Sequence, residues 1–181
     1  MIRYFSVDEE FSGLNHLRND LLSIGMVEIT KKGTFQIDYT RQFYLELKPI
    51  HNEYSKESMK VNGLNLENLK QYGVSYENAV REIKKYMNLQ EDDIAVFVGY
   101  CTTLDKIYFD QLFLETNQKN PFHYEVIDIS SLGIGKLNLS WGYSEKELLS
   151  KLHIKDINDK HNALSDAILQ AQEFCALMNL K

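Results

Sequence analysis

Two acidic residues, Asp8 and Glu10, lie at the end of an apolar, β-rich run in the peptide IRYFSVDEEFSG. Side chains two positions apart in a strand point to the same face, so these carboxylates share a face while Glu9 points to the opposite one. Two like charges side by side repel unless a positive group lies between them. A hard divalent cation with oxygen ligands would satisfy both acids. The alternative interpretation is a solvated strand end that carries acidic residues.

A third acid, Asp105, follows the short apolar run IAVFV and a turn at Gly99. The carboxyl end of a central strand is where α/β sheets place ligands, which favours a functional role for Asp105. Thr102 can instead cap the next helix, which makes Asp105 a first-turn acid favoured by the helix dipole. The residues alone leave both interpretations open.

The last predicted helix contains Asp166, which follows His161 by five residues. Five residues turn a helix by about 500°, which would separate the two side chains on one continuous helix. If Asn162 is the N-cap, His161 lies outside the helix and Asp166 lies in its first turn, so the imidazole can fold over the same cleft. A dipole-favoured acid beside a surface histidine is the alternative interpretation.

The composition favours one globular domain, because the chain has 181 residues, of which 44% are hydrophobic and 12% aromatic. We therefore predict a single domain over residues 1–181. The net charge of −6 disfavours a grip on long nucleic acid through many phosphates, but it permits a short one because metal ions carry their own charge. We expect no export signal, because the N-terminal residues MIRYFSVDEE are acidic too early for one, and no window approaches the ~18 uninterrupted apolar residues of a membrane span. With two widely separated cysteines, we expect a cytoplasmic protein that does not enter a membrane.

Periodicity and propensity predict the elements that position these residues. Three strands joined by short loops, at 2–8, 20–30 and 35–47, predict an antiparallel meander. Two further buried strands are predicted at 94–100 and 124–130, and the glycine-containing 131–137 is left without an assigned element. Helices are predicted at 67–72, 75–87, 102–115, 144–152 and 162–179. This order predicts an α/β fold with a mixed five-stranded sheet, three antiparallel strands and then two parallel ones, flanked by helices.

Together these residues resemble the DEDDh family of 3'-to-5' exonucleases. The peptide VDEEFSG resembles the family's D-x-E-T-[TS]-G, GYCTTLDKIYF takes the place of its second motif, and HNALSDA is close to H-R-A-L-x-D-A. Between them, LSIGMVEI resembles the family's I-x-E-I-G-A-V strand. The resemblance covers most of the chain in the usual order. It implies a ribonuclease H-like fold and a DnaQ-like exonuclease, near RNase T, oligoribonuclease and polymerase proofreading exonucleases.

The resemblance also implies a division of roles within the site. Asp8, Glu10, Asp105 and Asp166 would hold two Mg²⁺ or Mn²⁺ ions, and His161 would be the general base. Phosphodiester hydrolysis needs an activated water and stabilised charge on the attacking and leaving oxygens, which two cations and a histidine can provide.

By the same resemblance, Phe11, Ser12, Gly13 and Leu14 would bind the terminal nucleotide. The partner would be single-stranded or short nucleic acid with a free 3' end, and the products would be nucleoside 5'-monophosphates. A homodimer is compatible with the resemblance. Neither RNA nor DNA is favoured by any residue of the sequence.

The sequence also departs from the family pattern. Phe11 stands where threonine is commonest, Tyr100 and Cys101 stand where His-Asn is frequent, and Leu104 replaces the usual phenylalanine. These departures bear on subfamily and substrate. Two other functions stay open: a non-catalytic module that retains the fold and binds nucleic acid or protein, which would have no need of His161, and a proofreading subunit of a larger polymerase assembly.

Overall fold

The computed structural model describes residues 1–156 and 161–180. The strands are β1 (Ile2–Phe11), β2 (Leu21–Lys32), β3 (Thr34–Glu46), β4 (Ile94–Gly99) and β5 (Phe122–Asp128). The helices are α1 (Lys56–Asn62), α2 (Leu66–Tyr72), α3 (Tyr76–Met87), α4 (Thr103–Glu115), α5 (Ile129–Leu137), α6 (Glu145–Leu152) and α7 (Ala163–Asn179).

The five strands form one sheet in the order β3-β2-β1-β4-β5. β1 pairs antiparallel with β2, and β2 pairs antiparallel with β3. β4 lies parallel to β1 on its other side, and β5 lies parallel to β4. The predicted α/β fold, with three antiparallel strands followed by two parallel ones, is confirmed. β1 is therefore the central strand, and its carboxyl end lies in the middle of the sheet.

Both faces of the sheet are covered by helices. On one face, Phe5 and Val7 pack in a buried cluster with side chains of α3 and α4, such as Ile83 and Phe109. On the other face, Val98 and its neighbours pack against α5, α6 and α7. This two-sided burial explains why β1 and β4 are apolar runs without strict alternation. Within the described ranges, no helix is both long and apolar enough to cross a membrane.

Two helices were not predicted, α1 and α5. The glycines at 133 and 135 lower the helix propensity of α5, so the sequence pattern alone did not indicate it. In the structure, the side chain of Asp128 caps α5 by accepting a hydrogen bond from the N–H of Ser131 at 2.7 Å. Gly133 admits the ring of Tyr143, since a Cβ at this position would lie 2.4 Å from its hydroxyl oxygen. Tertiary contacts therefore support a helix that local propensity disfavours.

Candidate active site

The carboxyl end of β1 presents Asp8 and Glu10 on the face of the sheet that α7 covers. Tyr4, which shares their side of the strand, packs in the cluster that includes α7, whereas Val7 belongs to the cluster on the α4 side. The two carboxylates therefore share a face, as the alternation of the strand predicts. Glu9 lies on the other face, also as predicted.

The beginning of α7 touches the sheet at Gly25 of β2, which pairs with Asp8 in register. A Cβ built on Gly25 would lie 2.1 Å from the carbonyl carbon and oxygen of Ala163, the first residue of α7. Only a residue without a side chain permits this approach. Gly25 therefore sets how closely the first turn of α7, which carries the candidate residue Asp166, comes to the acids of β1.

The first turn of α7 has the arrangement that the sequence predicts. Asn162 is the N-cap, with φ −111°, and its side chain accepts a hydrogen bond from the N–H of Ser165 at 3.1 Å. His161 precedes the helix with φ 65°, and its backbone N–H donates to the Asp166 carboxylate at 2.7 Å. The imidazole thus stands outside the helix, on the side where Asp166 lies.

Glu10, His161 and Asp166 come together as a cluster. Each offers one atom able to bind a metal ion, and these atoms all lie within 4.8 Å of one another. Glu10 comes from β1 and the other two come from the start of α7, so the cluster joins residues that are about 150 positions apart in the chain. Carboxylate oxygens are suitable ligands for a hard divalent cation, and an imidazole beside them can act as a base.

The four predicted acidic ligands also interact with one another. Burial raises the pKa of Asp8 well above its usual range, and the charges of Asp105, Asp166 and Glu10 raise it further. Burial, followed by the charges of Asp166 and Asp105, raises the pKa of Glu10 to about 8. A bound cation would stabilise the ionised form of carboxyl groups whose pKa is raised by burial and by neighbouring negative charges. The donor set therefore fits a divalent metal site.

Asp105 lies in the first turn of α4, next to the end of β1. Burial raises its pKa to about 7, while hydrogen bonds from the backbone N–H groups of Asp105 and Glu9 act in the opposite direction. The N-cap of α4 is Thr102, but within the described residues its side chain makes no capping hydrogen bond. Its own backbone N–H donates to Asp128 at 3.1 Å. Thr102 and Asp105 therefore have the predicted positions at the start of α4, but the predicted capping hydrogen bond of the Thr102 side chain is not among the contacts of the described residues.

The predicted substrate segment, Phe11 to Leu14, is held by α4. The ring of Phe11 stacks on the ring of Tyr108, with centroids 4.3 Å apart. The hydroxyl of Tyr108 donates to the carbonyl oxygen of Gly13 at 2.8 Å. Phe11, the residue that departs from the family pattern, therefore has a packing partner in this chain.

Within the same segment, the side chains differ in their exposure. Ser12 is buried, and its hydroxyl accepts a hydrogen bond from the N–H of Asp20 at 2.8 Å. Leu14 is 75% exposed at the surface. The side chain of Leu14 is therefore accessible from solvent, whereas that of Ser12 stabilises the loop that returns to β2.

Two polar residues near the site were not assigned a role from the sequence. Gln170 is buried, and its amide nitrogen donates to Asp8 Oδ1 at 2.6 Å. Its position four residues after Asp166, on the same helical face, is the signal that could have revealed it. Glu9 is only 4% exposed, and burial raises its pKa well above the usual range. Neither carboxyl oxygen of Glu9 finds a hydrogen-bond partner among the described residues.

A sheet of this order, with acids at the end of its central strand and a histidine beside them, is the architecture of ribonuclease H-like nucleases. Residues 5–174 match the RNase_T exonuclease family. The chain is 31% identical over 173 residues to the 3'-5' DNA exonuclease Cap18 of Escherichia coli. The matched region covers 94% of this chain and 89% of that protein. The chain therefore belongs to the exonuclease family, as a DEDDh, DnaQ-like 3'-5' exonuclease.

Solved structures support the same fold. The nuclease domain of 3'hExo, a DEDDh family member bound to rAMP, superposes with a TM-score of 0.80 and 12% identity, over 99% of this chain and 94% of that one. Pop2p of S. pombe, in its Mg²⁺- and Mn²⁺-bound form, gives a TM-score of 0.70 and 18% identity, over 94% and 81%. Exonuclease I of E. coli, in complex with a dT13 oligonucleotide, gives a TM-score of 0.76 and 11% identity, over 99% and 41%.

Proposed function

We propose that this exonuclease depends on divalent metal ions and removes nucleotides from the 3' end of single-stranded or short nucleic acid as 5'-monophosphates. The observation that carries the proposal is the cluster of Glu10, His161 and Asp166, in which two carboxylates able to bind a metal ion lie within 4.8 Å of an imidazole able to act as a base. The pKa of Asp8 also supports it, because the charges of Asp105, Asp166 and Glu10 all raise this pKa, as expected for four carboxyl groups that lie close together.

Asp8, Glu10, Asp105 and Asp166 would hold the Mg²⁺ or Mn²⁺ ions. When bound, the ions would stabilise charge on the attacking and leaving oxygens of the scissile phosphodiester. The protein's part is to keep four carboxylates close together despite their repulsion, through the strand end of β1 and the first turns of α4 and α7. Burial raises the pKa of Asp8 and Asp105, so ionisation of these two groups is unfavourable in the folded chain, and a bound cation would offset that cost.

His161 would take the proton of the attacking water. Imidazole is the side chain most often used as a general base, and the ring of His161 is exposed beside Glu10 and Asp166. The hydrogen bond from the His161 backbone N–H to Asp166 holds the base next to a metal ligand, which limits the geometry that the ring can adopt.

We propose DNA as the preferred substrate, and the relative that is named a 3'-5' DNA exonuclease supports this choice. The net charge of −6 favours a short or single-stranded substrate over a long duplex. Phe11, Ser12, Gly13 and Leu14 would line the position of the terminal nucleotide, with the exposed side chain of Leu14 available to pack on its base.

The test is digestion of 5'-labelled single-stranded DNA and RNA oligonucleotides with Mg²⁺ or Mn²⁺. The wild-type protein is expected to give a ladder that shortens from the 3' end, with DNA cut faster, and EDTA or Asp8→Ala is expected to abolish it. Glu125→Ala, which removes an exposed acid on β5, is the matched control and should retain full activity. Absence of cleavage, or cleavage that Asp8→Ala leaves unchanged, would refute the proposal.

A further inference from the structure

Gln170 occupies a buried position between three parts of the site. It lies on α7 one helical turn after Asp166, and only 6% of its surface is exposed. Its amide nitrogen reaches Asp8 at the end of β1, at 2.6 Å from Oδ1. Its amide oxygen reaches the backbone N–H of Tyr100, just beyond β4, at 3.1 Å. One side chain therefore joins the elements that carry all three family motifs.

The two partners determine the orientation of the Gln170 amide. A backbone N–H can only donate, so the oxygen of Gln170 must face Tyr100. The NH₂ group must then face Asp8, where it donates to a carboxylate. A hydrogen bond to an ionised group is stronger than one between neutral groups, and it restricts rotation of the Asp8 carboxylate about its own axis.

Gly99 makes this bridge sterically accessible. A Cβ built on Gly99 would lie 3.3 Å from the Gln170 amide oxygen and 3.1 Å from the Val7 carbonyl oxygen. Both contacts are tighter than most real Cβ contacts, so a side chain here would press on both partners. The end of β4 is thus shaped to bring the Tyr100 N–H within reach of Gln170.

We propose that Gln170 is a positioning residue that orients the Asp8 carboxylate for divalent-cation binding, an inference that rests on the proposed function of Asp8 as a metal ligand. In this role Gln170 would act through Asp8, to which its amide nitrogen donates, rather than by contacting substrate or cation itself. Groups that hydrogen-bond to metal-binding side chains typically change metal affinity or activity by about 10- to 100-fold when they are removed. The same range is expected here, since the donor of Gln170 is buried and directed at a carboxylate.

The test compares Gln170→Met, which has a similar length but no amide, with Gln170→Asn, whose shorter amide cannot reach Asp8 and Tyr100 together. Gln172→Met is the matched control, because Gln172 lies on the same helix and its amide nitrogen donates to the Tyr39 hydroxyl at 3.5 Å, away from Asp8. Mn²⁺ affinity is measured by titration calorimetry, and kcat and KM are measured on a 5'-labelled oligonucleotide. Melting in EDTA establishes which variants are folded.

Both Gln170 variants are expected to bind Mn²⁺ about 10- to 100-fold more weakly, with the smaller loss in Gln170→Asn. We expect kcat to fall while KM for the oligonucleotide is retained, and excess Mn²⁺ to restore part of kcat. Gln172→Met should match the wild type. If Gln170→Met does not fold, Gln170→Asn carries the comparison, because it removes only one methylene group.

Wild-type Mn²⁺ affinity in a folded Gln170 variant would overturn the inference. Asp8→Ala, titrated in parallel, separates the two hypotheses. If Asp8→Ala binds Mn²⁺ as the wild type does, the proposed function of Asp8 fails and this inference fails with it. If Asp8→Ala loses Mn²⁺ and the Gln170 variants do not, only the role of Gln170 is refuted.

Discussion

Substitution of Gly25 by alanine should separate α7 from the acids of β1. The added Cβ would lie 2.1 Å from the Ala163 carbonyl oxygen, whereas real Cβ atoms essentially never approach below 3.0 Å. The start of α7 must therefore move by roughly 1 Å, because the neighbour is backbone and the surrounding core is close-packed. Asp166 lies three residues further along the same helix, so it moves with Ala163.

The magnitude of the effect follows from that displacement. A misplacement of about 1 Å can lower a rate by about 100-fold when catalytic groups must be aligned. Overpacking of this kind costs about 1–3 kcal/mol, which corresponds to a melting temperature about 2–12 °C lower for a domain of this size. We therefore expect Gly25→Ala to be folded, moderately destabilised and slower by about 100-fold.

The assay is the 3'-end digestion of a 5'-labelled oligonucleotide at saturating Mn²⁺, together with thermal melting in EDTA. Gly135→Ala is the matched control, since a Cβ at Gly135 in α5 would meet nothing within 4 Å. This control should keep full activity and gain about 0.5–1 kcal/mol, because alanine is favoured over glycine inside a helix. Wild-type kcat in Gly25→Ala would refute the inference that this glycine sets the distance between α7 and β1.

Two further predictions concern His161 and the carboxyl groups of the site. His161→Ala should lower kcat by about 10²–10⁴-fold and leave Mn²⁺ affinity unchanged; loss of Mn²⁺ binding by calorimetry would instead assign the imidazole to the metal. Without metal, the folded chain keeps protons that the unfolded chain releases, since the pKa of Glu10 is about 8 and that of Asp105 about 7. The contribution of these two groups to the free energy of unfolding in EDTA should therefore be greatest at about pH 4 and below. It should fall as the pH rises towards 8, by about 1.4 kcal/mol per pH unit for each proton that only the folded chain retains. Mn²⁺ should stabilise the protein more at pH 8.5 than at pH 5.5, and a melting temperature in EDTA that does not change across this range would contradict the raised pKa values.

Local patterns in the sequence were sufficient for several parts of the site. The alternation of β1 placed Asp8 and Glu10 on one face, because successive side chains of a strand point to opposite faces of the sheet. The capping preference of Asn162 placed His161 outside α7 and Asp166 in its first turn, and the structure has this arrangement. Helix starts and strand faces are encoded by neighbouring residues, so they can be predicted without knowledge of the fold.

Other features could not be predicted, because they depend on contacts between distant parts of the chain. Nothing local indicates that Glu9 would be buried beneath the site or that Phe11 would stack on Tyr108. The pattern around Thr102 even predicted a capping role that its side chain does not have. Helix α5 likewise forms against its glycine content, because Asp128 and Tyr143 stabilise it from outside.

The amino-acid pattern indicated the residue types of the candidate site, the faces of β1 and α7 on which they lie, and the directions of the strands. How close these residues come to one another depends on contacts between elements that are distant in the chain. Gly25 lets α7 touch β2, and Gln170 then bridges Asp8 and Tyr100 across a buried interface. Periodicity specifies the direction of a side chain locally, whereas the distance between two elements depends on the volume and shape of every side chain packed between them.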